Sequence, residues 1–360
     1  MEKQRKSRSW IFHALLFTAI FLVTFIFVSY LFRPVSKSRI NISGLYAEPE
    51  NSLDVIAIGG SSTHIFYMPY EAWREFGIVS YDYSTDSMSP SVMKNLIIEA
   101  EKTQSPRLYL LDMRAFENRE RRPDFYCVAY LRNITDSMKY SLNRLDMIRY
   151  AFKNEQPQSL SEPAVYLDLM YYHSLWQTMN YYYGFVYVGN DVPEAGKGFW
   201  LSGTYASQDT RDFSDVTERK SLSPENEAVL RDLLEYCRDN DIPALFTLNP
   251  FQMKDADTKA YYNYIGDVIH EYGYEFLDTN EYYDEMGIDF TKDFYNNNHL
   301  NVFGAGKYTH FLAKYIRDNY AMPDHRGEPA YSAWDEGYPA WAEDKSEYEE
   351  YISELMAEGS

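Results

Sequence analysis

The sequence predicts an α/β fold, a three-layer sandwich around a central parallel sheet, preceded by one membrane-crossing helix. Three observations predict it. Short unbroken apolar runs such as "DVIAI" (54–58) recur along the chain, as they do in strands buried on both faces. Segments with helical spacing fall between those runs, so strands and helices alternate. Near the N-terminus stands a 22-residue run, Ile11 to Phe32, free of Asp, Glu, Lys and Arg.

At ~1.5 Å per residue that run spans ~33 Å, enough for a hydrocarbon core. Residues 1–9 form a basic tail with Lys3, Arg5, Lys6 and Arg8, and residues 10–32 form the span. The bulky "VSYLFRPVSK" that closes the span offers no small-x-small cleavage site, so it reads as an uncleaved signal anchor. The basic tail favours a single-pass protein with a cytoplasmic N-terminus and an extracytoplasmic domain, an asymmetry reduced by Arg33, Lys37 and Arg39. Residues 33–52, with Pro34 and Pro49, read as a polar linker.

The domain expected over 53–320 follows in order. "DVIAI" is the first strand and "GIVSYDYS" (77–84) the second. "SPSVMKNLIIEAEKTQ" (89–104) is a helix with Ser89 as cap and Pro90 in its first position. "RLYLLDM" (107–113) is the third strand. "SPENEAVLRDLLEYCRDNDI" (223–242) repeats the Ser-Pro start, with Leu230, Leu233, Leu234 and Cys237 on one face. "PALFTLNPF" (243–251) is the fourth strand, "TKAYYNYIGDVIHEYG" (258–273) a helix and "YEFLDTN" (274–280) the fifth strand. "GAGKYTHFLAKYIRDN" (304–319) is the last helix of the domain. Residues 115–220, rich in aromatics and charge, interrupt the rhythm as an insertion. It either covers the strand ends, where substrate would be recognised, or is a peripheral packing elaboration. Residues 321–360, with 11 acidic and 2 basic residues plus Trp334 and Trp341, read as an acidic tail of loop and surface helix.

Composition excludes one class of partner. Beyond residue 40 there are 27 Lys/Arg against 53 Asp/Glu, a surface that repels nucleic acid. The 35 tyrosines would suit aromatic grooves for carbohydrate. Cys127 and Cys237 allow at most one disulfide, and the helical face under Cys237 favours a buried thiol. No Cys/His spacing suggests a metal, and no motif calls for a cofactor.

Parallel sheets place their sites at the carboxyl ends of strands. There lie Gly59 to His64, Ser84 to Asp86, Asp112 to Arg114 and Asn249-Pro250. "DVIAIGGSSTH" lacks the Gly-Lys-Ser/Thr of a phosphate loop and the glycine spacing of a dinucleotide fingerprint. It also lacks the second glycine of the α/β-hydrolase elbow. What remains is a serine on a strand-to-helix turn, where backbone N–H groups can face an oxyanion. A serine nucleophile needs a base, and His299 in "DFYNNNHLNVFGAGKY" (293–308) sits in a loop at the same face. Each segment alone also reads as ordinary structure: a Gly/Ser turn, a hydrogen-bonded loop histidine.

Together the two segments resemble the SGNH (GDSL-type) hydrolase superfamily, whose serine follows the first strand and whose histidine lies in a C-terminal Asp-x-x-His. "HLNVFGAGKYTHFLAKYI" and "MPDHRGEPAYSAWDEGY" (322–338) are similar to a membrane-anchored branch related to lipoteichoic-acid D-alanylation and alginate-type acetylation proteins. The resemblance spans about residues 50–340, weakest in the insertion. It implies a flavodoxin-like SGNH fold, Ser61 as nucleophile with Ser62 as fallback, Gly60 in the Asp/Ser slot, and His299 as base. The family's acid position holds Asn296, so Asp293 is the substitute, or the site is a Ser–His dyad. The second-block glycine is replaced by Ser84 or Thr85, and the third-block Gly-x-Asn-Asp is absent; Asp112, Met113 and Arg114 stand there. The N–H groups of Ser61 and near Ser84 would form the oxyanion hole, with Arg114 a donor or simply an ion-pair partner of Asp112.

Two functions are consistent with these residues. One is a membrane-anchored extracytoplasmic serine esterase or O-acyltransferase acting on a cell-envelope polymer or acylated glycan, beside a polytopic membrane acyltransferase. The other is a catalytically inactive relative that binds polymer or scaffolds an acylation or export complex.

Overall fold

A computed structural model describes residues 2–33, 36–121, 128–155, 165–175, 177, 193–209 and 212–358. Its centre is a five-stranded parallel sheet of β1 (Val55–Ile58), β2 (Ser80–Asp82), β3 (Leu108–Asp112), β4 (Ala244–Leu248) and β5 (Glu275–Asp278), in the order β2-β1-β3-β4-β5. Val55 of β1 lies opposite Ser80 on one side and Leu108 on the other. The strand order therefore reverses at β1, and such a reversal opens a crevice beyond the carboxyl ends of the strands.

Every residue of β1, β3 and β4 is buried. Strand periodicity divides their side chains between two cores. Ile56, Ile58, Tyr109, Leu111, Phe246 and Leu248 pack on one face with helical Leu96, Leu230 and Ile265. Val55, Ala57, Leu108, Leu110 and Leu245 pack on the other with Phe66, Leu312 and Ile316. Covering both faces is why these strands read as unbroken apolar runs.

Before the sheet come α1 (Glu2–Leu31) and α2 (Lys37–Gly44); between β1 and β2 lie α3 (Ser61–His64) and α4 (Pro69–Phe76); α5 (Met93–Ala100) leads to β3. After β3 come α6 (Arg114–Arg121), α7 (Val128–Thr135), α8 (Leu142–Glu155) and α9 (Asp168–Tyr172). Then follow α10 (Pro224–Asp239), α11 (Ala256–Glu271) and α12 (Tyr283–Met286). A small antiparallel pair, β6 (Phe294–Asn296) and β7 (His299–Leu300), precedes α13 (Val302–Asn319) and α14 (Ser332–Glu358).

The expected caps are partly as read. Ser89 accepts from the Ser91 N–H at 3.3 Å, but it opens a 3₁₀ turn, Pro90–Val92, before α5 begins. Ser223 precedes Pro224 at the start of α10, yet its hydroxyl donates to Glu120 Oε2 at 3.0 Å instead of capping the helix. Asn301 caps α13, accepting from Phe303 N at 3.1 Å and Gly304 N at 3.3 Å.

Residues 33–52 differ from a free linker. Within them α2 buries Arg39, Asn41 and Ile42, and Leu45 joins the core. Asn41 Nδ2 donates to Gly198 O at 2.7 Å, and Trp200 Nε1 donates to Asn41 Oδ1 at 2.9 Å, which ties the segment across the strand ends. Polar composition suggested exposure; here the polar groups have partners inside the fold. The tail also packs inward. Trp334 and Trp341 of α14 are buried against Tyr70 at centroid distances of 5.2 and 6.2 Å.

The insertion divides in two. Residues 193–209 lie over the strand ends: Asp82 N donates to Lys197 O at 2.9 Å, Trp200 N to His64 O at 2.7 Å and Ala206 N to Phe294 O at 3.0 Å. By contrast, α8 packs on α5 and α9 packs on the C-terminal end of α1. The tyrosine-rich "MNYYYGFVYVGN" (179–190) and Cys127 lie outside the described residues. Cys237 is a free, buried thiol, and burial pushes it up to about 12. Ser9–Leu31 of α1 is long and apolar enough to cross a membrane; its most apolar stretch is unburied, while Ser29 near its C-terminal end is buried.

Candidate active site

The turn after β1 brings the first component. Gly59 lies where β1 meets β3, and a Cβ there would stand 2.1 Å from Thr63 Oγ1 and 2.7 Å from Asp112 Cβ, so only glycine fits. Gly60 then opens α3, with open space where its own Cβ would be. The two serines that follow have different fates. Ser61 is half-buried, and its Oγ lies 2.6 Å from His299 Nε2. Ser62 is buried, and its hydroxyl donates to Asp112 Oδ2. Among the two candidates, Ser61 meets the imidazole.

The β6–β7 pair supplies the second component. Asn296 lies directly opposite His299 across the pair, with a register shift between Phe294 and Asn296. Cross-strand neighbours project to one side, so Asn296 Oδ1 comes within 3.0 Å of His299 Nδ1. The Asn298 backbone N–H also points at Asn296 Oδ1, 2.8 Å away. An N–H can only donate, so that side-chain atom is the oxygen and the facing Nδ1 carries a proton. Nε2 is then the unprotonated nitrogen, with its lone pair directed at the Ser61 hydroxyl.

Asp293 stands elsewhere. It is buried, and its Oδ2 accepts from Asp289 N and from Lys307 Nζ, each at 2.6 Å. It therefore pins the loop before β6 to α13, and the role of orienting His299, open to either residue in the sequence, falls to Asn296. Asp293 lies just before β6, where its backbone carbonyl accepts from Asn301 N at 2.8 Å, whereas Asn296 lies within β6 opposite His299.

Asp112 and Arg114 brace the two components. Asp112 Oδ1 accepts from the Arg114 backbone N–H at 3.1 Å while Oδ2 holds Ser62. Burial raises the Asp112 carboxyl above the usual range, opposed by Arg114 and the Ser62 hydrogen bond. The Arg114 guanidinium does not pair with Asp112; Nη1 donates to Asn298 O at 2.9 Å, next to His299, and the group lies 4.6 Å from the Phe251 ring centroid. One strand end thus grips both the serine turn and the histidine hairpin.

Sequence reading placed Asp86 at the strand ends but did not pair it with His64. His64 is fully buried three residues after Ser61; its Nδ1 lies 3.1 Å from Ser84 Oγ and its Nε2 3.3 Å from Asp86 Oδ1. The buried Ser84 hydroxyl is thus engaged by His64. Contact with His64 holds the half-exposed Asp86 carboxyl below its usual range. The signal available in the sequence was the i, i+3 spacing of Ser61 and His64 on one helical turn. Trp200 covers His64 at 4.3 Å between centroids, and Tyr295 stacks on His299 at 5.1 Å. Neither aromatic was singled out beforehand. Asn249, buried, donates to Ser62 O at 3.1 Å and accepts from Tyr308 OH at 2.6 Å, so it too holds the turn.

These surroundings push His299 down to about 3, first through burial, then through the charges of Arg114 and His64, with Asp86 opposing. At neutral pH the ring is an uncharged acceptor. Among the described residues no cluster of three or more His, Cys, Asp or Glu is arranged to hold a metal ion. No family model matches the chain, and no curated protein matches it.

Proposed function

We propose that the chain is a serine-dependent ester hydrolase or O-acyltransferase, anchored by α1 and acting outside the membrane on an acylated envelope polymer. The observation that carries this is the 2.6 Å approach of Ser61 Oγ to His299 Nε2, with the proton held on Nδ1 by Asn296. The likeness of both segments to SGNH hydrolases points the same way, and the polymer and a polytopic acyltransferase partner rest on that likeness.

The chemistry is acyl transfer. Ser61 Oγ attacks the ester carbonyl carbon as its proton passes to His299 Nε2. The Ser61 backbone N–H at the start of α3 faces the developing oxyanion, the Thr63 N–H being already bonded to Gly60 O at 3.0 Å. The imidazolium returns the proton to the leaving alcohol, leaving an acyl-serine. Water, or a hydroxyl of the acceptor, then attacks the acyl carbon and gives its proton to Nε2. As the bond from that carbon to Ser61 Oγ breaks, the imidazolium passes the proton to Oγ, which restores the serine and the neutral ring.

A fluorophosphonate probe together with p-nitrophenyl acetate tests the proposal. Wild-type protein should label and hydrolyse, and Ser61→Ala should abolish both. Ser62→Ala should retain labelling, because its hydroxyl serves Asp112. A folded wild-type protein that does not label, or labelling that survives Ser61→Ala, defeats the catalytic reading.

One observation favours a second reading, a non-catalytic polymer-binding or scaffolding protein. Asn296 supplies no charge to stabilise an imidazolium, and a histidine titrating near 3 is a weak base. The same labelling experiment separates the two.

A further inference from the structure

The C-terminal end of α1 is built into the fold. Tyr30 meets Tyr140 edge-on at 5.3 Å, and Tyr140 N donates to Tyr30 OH at 3.1 Å. Arg33, 1% exposed, donates from Nε to Asp168 at 2.7 Å and from Nη1 to Met138 O at 2.8 Å. Asp168 also accepts from Arg132 at 2.8 Å and from Arg144 at 2.9 Å, so one buried carboxylate ties α7, α8 and α9 to the end of α1.

That joint fixes a height. The 23 residues Ser9–Leu31 cover ~34 Å as a helix, close to the ~30 Å of a hydrocarbon core. Tyr30 and Arg33 then lie at headgroup level, where aromatic and basic side chains collect. The lobe gripping them must lie at that level too.

The same lobe carries unpaired apolar surface. Outside α1, the large apolar side chains exposed among the described residues are Leu142 (84%), Met170 (55%), Leu145 (40%), Leu167 (38%) and Tyr351 (44%). The first four stand one or two residues along the chain from members of the knot: Leu142 from Tyr140, Leu145 from Arg144, and Leu167 and Met170 from Asp168. Leu142, Leu145 and Arg149 share one exposed face of α8 with the exposed Asp146, whose carboxylate accepts from Asn95 Nδ2 at 3.3 Å. Apolar side chains beside a long basic one are the pattern of a surface lying in the interface, the cation reaching back to water and phosphate.

We infer that the α8–α9 lobe seats on the bilayer surface, with Leu142, Leu145, Leu167 and Met170 entering the headgroup region beside the anchor. This rests on reading α1 as a retained anchor. Part of the insertion is then a membrane seat that sets the height and tilt of the domain, while residues 193–209 cover the site.

The test uses the full chain in nanodiscs of phosphatidylcholine and phosphatidylglycerol, in a Cys127→Ser background. A bimane label is placed on Leu142→Cys, Met170→Cys or Phe17→Cys. Lipid bearing a doxyl group near the headgroup should quench the Leu142 and Met170 labels by at least about two-fold, and aqueous iodide should quench them weakly. Lipid with the doxyl near the chain end should quench the Phe17 label. Quenching at Phe17 with Leu142 and Met170 open to iodide and untouched by lipid overturns the inference while leaving the anchor intact. No quenching at Phe17 removes the anchor, and the inference with it. Protection of Leu142 and Met170 in native membranes but not in nanodiscs assigns the patch to a protein partner and also overturns it.

Discussion

Replacing Asn296 with Asp should turn a weak base into a competent one. Asn296 Oδ1 lies 3.0 Å from His299 Nδ1, so a carboxylate there would stand roughly 4 Å from the centre of ring charge. At an effective dielectric near 20, Coulomb's law gives about 4 kcal/mol of attraction for the imidazolium, equivalent to about 3 pKa units. Desolvation of the new carboxylate offsets part of this, leaving an expected rise of about 1–3 units from the present value of about 3. The Asn298 N–H already fixes the acceptor and hence the tautomer, so the gain is electrostatic only and the rate should rise roughly 10- to 100-fold. Proton NMR titration of His299, assigned with a His299→Gln variant, reads the shift whether or not the protein is a catalyst. Ester hydrolysis against pH reads it again. In wild type the base is lost only as pH falls through about 3; in Asn296→Asp that loss should move upward. The stability effect has the corresponding sign: between the unfolded value near 6.5 and about 3, the unfolded chain binds a proton that the folded one refuses, so stability falls as pH drops through that window. A His299 titration displaced by less than half a unit, or moved downward, would refute the electrostatic account of this site.

Asp168→Ala would leave Arg33 and Arg144 without their buried ion-pair partner, Arg132 keeping Asp136, and should cost about 3–5 kcal/mol, measured by chemical denaturation. Gly203 has φ +94°, and a Cβ there would stand 2.2 Å from the Tyr295 ring that stacks on His299. Gly203→Ala should therefore cost about 1–3 kcal/mol and displace Tyr295, visible as a changed His299 ring shift.

The strands were legible because a strand covered on both faces must be apolar at every position, which leaves a mark in four or five consecutive residues. The membrane-length helix was legible for the same reason. Ser61 was legible because β1 gives way there to a turn; His299, expected in a loop, instead opens β7, and the two were joined only by reading both segments together. The buried ion-pair knot was not, since Arg33, Arg132, Arg144, Asp136 and Asp168 look like surface charges until the chain brings them together. The α2 segment was missed likewise: polar side chains such as Asn41 read as solvated although their partners are distant backbone groups.

By itself, then, the sequence determined the α/β alternation, the apolar helix and the residue types available at the strand ends, because those follow from local periodicity and composition. Only tertiary structure decided which serine faces the imidazole and that Asn296, not Asp293, orients it. It also decided that the first half of the insertion grips the end of α1. These are questions of which side chain lies on which side of a strand or helix after distant segments pack, and a β-pair shifted by one residue would reverse the answer.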